Sequence, residues 1–188
     1  MNKYSAIVLM GIALWACSIQ AGVIIVAADG TGQVTSIQAG INLAAVGDTV
    51  LISPGVWTGV VVIDNKPITI GSFYIINSDT TYIAQTTIDG EDTRTGIIVK
   101  NCSGVSDTLQ IIGLTIRNCR SSWYPDTYMY SIGGGIGIGL SIAKVCNCKI
   151  FSNRAYFGGG IGVSRAQVYL FGNEIFANNA ITSGGGLS

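Results

Sequence analysis

Three glycine triplets, Gly133-Gly134-Gly135, Gly158-Gly159-Gly160 and Gly184-Gly185-Gly186, begin 25 and then 26 residues apart. Their flanks repeat at the same offset. Ile136-Gly137-Ile138 aligns with Ile161-Gly162-Val163, and Ile150-Phe151-Ser152-Asn153-Arg154-Ala155 aligns with Ile175-Phe176-Ala177-Asn178-Asn179-Ala180. Such a double match at one offset marks a repeat architecture. Each repeat holds short β-rich runs separated by Gly, Asn and Ser, with no 3.6-residue period, which excludes a helical solenoid. One repeat is too short to bury its own apolar face, whereas stacked repeats bury Ile, Val, Leu and Phe in a continuous core. The expectation is parallel strands with Ile136, Ile138, Ile150, Ile161, Val163 and Ile175 pointing inward. The rival, a transmembrane β-barrel, needs strands alternating over about 10 residues, and these runs are shorter.

Working outward, Asn153 and Asn178 fall at equivalent corners, where side-chain amides can hydrogen-bond from coil to coil. The glycine triplets suit corners with positive φ or close backbone approach. The preceding coil fits more loosely: Ile97-Ile98-Val99 and Leu114-Thr115-Ile116-Arg117-Asn118-Cys119 play the same parts, with extra residues at 103–107 and 121–131. Upstream, residues 23–26, 49–52, 60–63, 68–70 and 97–99 read as strands. The only helical pattern is Ser36-Ile37-Gln38-Ala39-Gly40-Ile41-Asn42-Leu43-Ala44-Ala45. Ile37, Ile41 and Ala44 share one face, Ser36 can cap the start and Gly47 can end it, so this helix is expected to cover the first coil.

The chain has 188 residues, 48% hydrophobic and 11% charged, which allows one sizeable core. Ten basic and ten acidic residues cancel, so nothing marks a nucleic-acid partner. Histidine is absent, which rules out Ser-His-Asp and Cys-His nucleophile systems and a His-liganded metal. The N-terminus has the parts of a Sec-type export signal: Lys3, an apolar run at residues 6–16, and small residues at Ala21 and Gly22. That run is shorter than the roughly 20 residues a membrane-spanning helix needs. Residues 1–21 are therefore expected to be a signal peptide and 22–188 a single secreted or cell-surface domain. Leu14-Trp15-Ala16-Cys17 also resembles a lipobox, which would anchor the chain by lipid on Cys17. Cys102, Cys119, Cys146 and Cys148 permit three pairings if all bridge, but Cys146 and Cys148 share a face of an extended strand, so buried thiols are expected.

A resemblance adds to this reading. Asp29-Gly30-Thr31-Gly32-Gln33-Val34-Thr35-Ser36-Ile37-Gln38-Ala39-Gly40-Ile41, followed by Gly47-Asp48-Thr49-Val50-Leu51-Ile52-Ser53-Pro54-Gly55 and Lys66-Pro67-Ile68-Thr69-Ile70-Gly71, resembles the opening of pectin-lyase-like β-helix proteins, pectin methylesterases among them. The GGGI elements and Phe176-Ala177-Asn178-Asn179 are similar to repeats of bacterial surface β-helix proteins, including chlamydial polymorphic membrane proteins. The resemblance implies an all-β fold: a right-handed parallel β-helix (solenoid) with an N-terminal capping helix. It says less about activity, because the superfamily holds lyases, hydrolases, esterases and non-enzymes. A Gly-His-Gly element cannot occur without His. The Gln-Asp and Asp-Phe-Ile-Phe-Gly elements of pectin methylesterases are also missing. Pectate lyases need acidic calcium ligands and a basic proton abstractor. Asp89, Glu91 and Asp92, followed by Arg94, are the nearest candidates for a Ca²⁺ site, against a plain turn at Asp89-Gly90 carrying solvated charges.

In the insertion, Trp123, Tyr124, Tyr128 and Tyr130 are candidate glycan-stacking residues, since loops leaving a rigid solenoid are frequent recognition sites. Two function classes follow. The first is an exported, non-catalytic surface or secreted scaffold that binds a polysaccharide or cell-surface glycan, or acts as an adhesin. The alternative is a polysaccharide-active enzyme of the uronan lyase type, for which alone Ca²⁺ would be a cofactor. Ser188 falls five residues into a repeat. Further coils of the same chain are therefore expected downstream, and the chain expressed alone is expected to associate or aggregate through that end.

Overall fold

The computed structural model describes residues 21–103, 108–121 and 132–188. Strand β1 (Val23–Val26) and helix α1 (Ile37–Leu43) open the chain, and a second passage lays down β2 (Thr49–Ile52), β3 (Gly55–Thr58) and β4 (Val61–Asp64). The third consists of β5 (Thr69–Ser72), the short helices α2 (Tyr74–Asn77) and α3 (Thr81–Gln85), β6 (Thr86–Asp89) and β7 (Ile97–Lys100). The fourth adds β8 (Leu109–Ile112), β9 (Thr115–Arg117) and β10 (Ile136–Gly139). The fifth adds β11 (Ile142–Cys146), β12 (Lys149–Phe151), β13 (Arg154–Phe157) and β14 (Ile161–Ser164). The sixth is β15 (Gln167–Phe171), β16 (Glu174–Phe176) and β17 (Asn179–Ser183).

Corresponding strands of successive passages pair side by side. They form a first sheet β1-β2-β5-β8-β11-β15, a second β3-β6-β9-β12-β16, a third β4-β7-β10-β14 and a two-stranded β13-β17. Every strand pairing among the described residues is parallel. A barrel of the outer-membrane type has antiparallel neighbours, so that rival fails, and the stacked sheets are compatible with a solenoid.

The register follows the repeat. Ile136 pairs with Ile161 and Ile97, and Ile150 with Ile175 and Ile116. Ile136, Ile138, Ile150 and Ile161 are fully buried, while Val163 and Ile175, nearer the last passage, pack against the core partly buried. Removing each such side chain from water contributes roughly 2–3 kcal/mol before entropy is counted.

The glycine triplets stack on one another. The first residue of each has positive φ, from 61° to 68°. A Cβ on Gly134 would lie 2.5 Å from the Gly159 carbonyl oxygen, and one on Gly160 2.6 Å from that of Gly186. The backbone pairs across this close approach, with Gly135 N–H donating to Gly159 O and Gly160 N–H to Gly185 O.

Helix α1 starts as expected, the Ser36 hydroxyl accepting from Ala39 N–H at 3.2 Å, and Ile37, Ile41 and Ala44 are buried against the start of the first sheet. It ends at Ala44 rather than at Gly47. The Lys66 ammonium explains the early stop: it donates to the carbonyls of Ile41 and Asn42, satisfying groups that a glycine cap would otherwise serve. Three further differences from the sequence reading are strand β3, the helices α2 and α3, and starts one residue later for β4 and β5. The two helices bury none of their residues, so they carry no apolar period to read. A Phe73–Tyr82 edge contact ties the two helices together, and the Thr115 hydroxyl donating to Ile83 O holds α3 on the wall.

Candidate functional site

The turn at Asp89-Gly90 lies between β6 and β7, as the plain reading has it, but its first carboxylate is not solvated. Asp89 is 8% exposed. One of its oxygens accepts from Glu91 N–H, and the other accepts from Arg117 Nε at 3.0 Å and Asn118 Nδ2 at 3.1 Å. Glu91 turns away to Arg94 at 2.6 Å, and Asp92 is tied by its backbone N–H to Asn118 O. Among the described residues no group of three or more His, Cys, Asp or Glu is placed to hold a metal ion. The three carboxylates named for Ca²⁺ are not gathered into such a group: Asp89 and Glu91 each pair with an arginine.

The outward face of the second sheet carries two columns of side chains beside the inward isoleucines. Register places Thr87, Thr115, Lys149 and Glu174 in one, and Asp89, Arg117, Phe151 and Phe176 in the other. Helix α3 covers the two threonines, which are 5% exposed. Past the helix the wall opens. Lys149 and Glu174 form an ion pair at 3.1 Å, and the rings of Phe151 and Phe176 stack with centroids 5.0 Å apart and 7° between planes. The two rings thus lie face to face, each covering one face of the other, in the same column as the Asp89–Arg117 pair. Phe176, on the last passage, is 48% exposed. A cleft of about 310 Å³ adjoins it, lined by Tyr74, Thr80, Ile83, Asn147, Lys149 and Glu174 among others. Lys149 and Glu174 line the cleft, and the two rings lie in the next column.

Stacked rings flanked by hydrogen-bonding charged pairs suit a ligand with apolar faces and hydroxyl edges. Away from this wall, Asp29, Asp64 and Asp79 are held below the usual carboxylate range by the Thr31 hydroxyl, the Asn101 amide and the Thr81 backbone N–H respectively.

Compared with known proteins, the chain matches no family, no curated protein and no solved structure. The assignment of the site therefore rests on geometry.

Trp123, Tyr124, Tyr128 and Tyr130 lie outside the described residues, as do residues 1–20, Cys17 among them. Cys102, Cys119, Cys146 and Cys148 are free thiols. Cys146 and Cys148 do not share a face: Asn147 between them has φ +52° and turns a corner, leaving Cys146 half-buried on the outside and Cys148 inside. Burial raises all four thiol pKa values, those of Cys119 and Cys148 to about 12, so none is activated as a nucleophile. Phe151, Phe176, Lys149 and Glu174 were not among the sequence candidates, although the alignment that sets Phe151 over Phe176 carried the signal.

Proposed function

We propose that this chain is an exported, right-handed parallel β-helix of the pectin-lyase-like kind, working as a non-catalytic secreted or cell-surface scaffold that binds a glycan. The observation that carries the reading is the Phe151–Phe176 stack beside the Lys149–Glu174 pair and the adjoining cleft. Aromatic faces stack on the C–H surfaces of sugar rings, and fixed charged pairs direct hydrogen bonds to hydroxyls. Trp123, Tyr124, Tyr128 and Tyr130 are proposed as a second aromatic set for the same ligand. Processing after Ala21 is supported by the partner waiting for the new terminus: the Asp48 carboxylate lies 2.6 Å from Gly22 N, where an ammonium would strengthen the contact.

The test is a polysaccharide array probed with the secreted chain, whose intact mass should begin at Gly22. Phe176→Ala should weaken binding about tenfold, or about 1.4 kcal/mol, with the β-sheet circular dichroism unchanged. Equal binding by the variant would remove the stack from the site. Release of unsaturated product from pectin or alginate, with or without Ca²⁺, would favour the lyase alternative instead.

A further inference from the structure

The outward face of the first sheet carries a cleft of its own, away from the Phe151–Phe176 stack. Register places Thr69, Gln110 and Lys144 side by side in one column, at the strand spacing of about 4.8 Å. Thr108 stands two residues before Gln110, with the buried Leu109 between them, and so belongs to the same outward face. All four are half-buried. They line a cleft of about 270 Å³, which Gly47 and Pro67 help to enclose.

Among the described residues, none of these four side chains makes a hydrogen bond or an ion pair. The charged groups beside the cleft are engaged elsewhere. The Asp48 carboxylate accepts from Gly22 N–H at 2.6 Å and Ala45 N–H at 2.8 Å, and the Lys66 ammonium donates to the carbonyls of Ile41 and Asn42. No carboxylate lines the cleft among the described residues. A partly desolvated ammonium calls for a negative partner, and here the fold surrounds Lys144 with neutral donors instead.

We propose that Lys144, Thr69, Thr108 and Gln110 form a binding site for a phosphate group, either free phosphate or that of a phosphomonoester. Lys144 supplies the charge, and the two hydroxyls and the amide NH₂ supply further donors from neighbouring strands. A phosphate presents three or four acceptor oxygens and can meet these donors together, whereas a carboxylate has two oxygens and leaves donors unmet. The cleft lies just below the roughly 300–1,000 Å³ of pockets that enclose a drug-sized ligand, so it suits one such group with any organic portion left outside. The site stands on a different sheet from the aromatic stack and does not depend on the glycan reading.

The experiment titrates the full chain with inorganic phosphate and with glucose 6-phosphate by calorimetry at fixed ionic strength, with glucose and galacturonate as competitors. The variants Lys144→Gln, Thr69→Val and Asp107→Asn are measured alongside, their folding checked by circular dichroism. Phosphate should bind saturably within about 10 mM and raise the melting temperature of the wild-type chain. Lys144→Gln should weaken binding about tenfold and Thr69→Val about threefold, the sizes of a lost charge-assisted and a lost neutral hydrogen bond. Glucose 6-phosphate bound more tightly than phosphate would make the ligand an organic phosphomonoester, and the reverse order would make it the free ion; either result keeps the site. Absence of saturable phosphate binding would overturn it, as would unchanged affinity in Lys144→Gln, or in Thr69→Val should the lysine variant not fold. Glucose or galacturonate displacing phosphate at equal affinity would also overturn it. Asp107, which precedes Thr108 outside the described residues, is the rival partner for Lys144. Phosphate bound far more tightly by Asp107→Asn than by wild type would give Lys144 to that carboxylate and remove the site.

Discussion

Asn153 shows how much one side chain can hold. Its Oδ1 accepts from Cys119 N–H at 2.9 Å, its Nδ2 donates to Ile116 O and to Asn178 Oδ1, and its own backbone N–H donates to Asn178 Oδ1. Three passages meet at that residue. Asn153→Ala would strand a buried N–H and a buried carbonyl, and leaving such groups unpaired costs roughly 1–3 kcal/mol each. The expected loss is about 2–4 kcal/mol, read as a lower urea midpoint with the slope unchanged. A loss below about 0.5 kcal/mol would mean that water replaces the amide. Cys102, Cys119 and Cys148 each follow a positive-φ asparagine at a corner and are buried, and their thiol pKa values are raised chiefly by burial. An acid whose folded pKa stands above its unfolded value stabilises the fold fully below the unfolded value. For Cys119 and Cys148 that contribution is intact below about pH 9 and is lost as pH rises toward about 12. Alkaline titration should therefore lower the melting temperature over that window. Replacing both residues by Ala should flatten this part of the curve, and an unflattened curve would assign the loss to other groups.

At the scale of the element, the glycine triplets and the edges of the sheets decide the arrangement. A Cβ on Gly159 would press on the carbonyl oxygen of Gly185 at 2.6 Å and on that of Asn179. Backbone atoms in a paired ladder cannot move aside as a flexible side chain would. Gly159→Ala is accordingly expected to cost about 2–3 kcal/mol, in the range for overpacking, whereas alanine at Gly47 meets no atom within 4 Å and strains only its φ of +87°. Thermal melts of the two variants give the comparison, and equal losses would leave steric stacking with no special role. Edge protection is equally specific. The Gln33 side chain bonds to both Ile25 N–H and Val23 O along β1, and the Gln38 amide does the same with Val62 N–H and O along β4. These amides stand in for missing strands at the start of the stack.

Over the whole molecule the passages are unequal. The middle ones are covered on both sides and carry the fully buried Ile88, Ile97, Ile111, Ile116, Ile136 and Ile150. In the sixth, Phe171, Phe176 and Ile181 are 57%, 48% and 59% exposed, and β15, β16 and β17 pair with a strand on one side only among the described residues. Stability in a stacked repeat is a sum of unit and nearest-neighbour terms. Amide hydrogen exchange should therefore be slowest in β6, β9 and β12 and faster through β15, β16 and β17. Uniform protection along the stack would show that unfolding is a single global event. The wall proposed as a glycan site lies across this gradient, with Asp89 and Arg117 on the firm passages and Phe176 on the least supported one.

Much of the fold was legible in the chain alone. The repeat offset carries the stack, the inward isoleucines and the Asn153–Asn178 contact, because within the last two full repeats equal spacing means equal position: Asn153 and Asn178 lie 25 residues apart and bond directly. The parallel pairing expected from the repeat holds for every described strand, whereas the α2–α3 excursion and the pairs that make up the wall needed the tertiary structure. Asp89 meets Arg117 across 28 residues, and Cys119 meets Asn153 across 34, bringing Arg120 beside Arg154. Insertions of different length separate those partners, so no constant offset links them. Composition and repeat period thus determined the stacking and its core, since apolar burial repeats with the chain. Tertiary structure decided which charged and aromatic side chains meet on the outside, because outward positions carry no hydrophobic period to read.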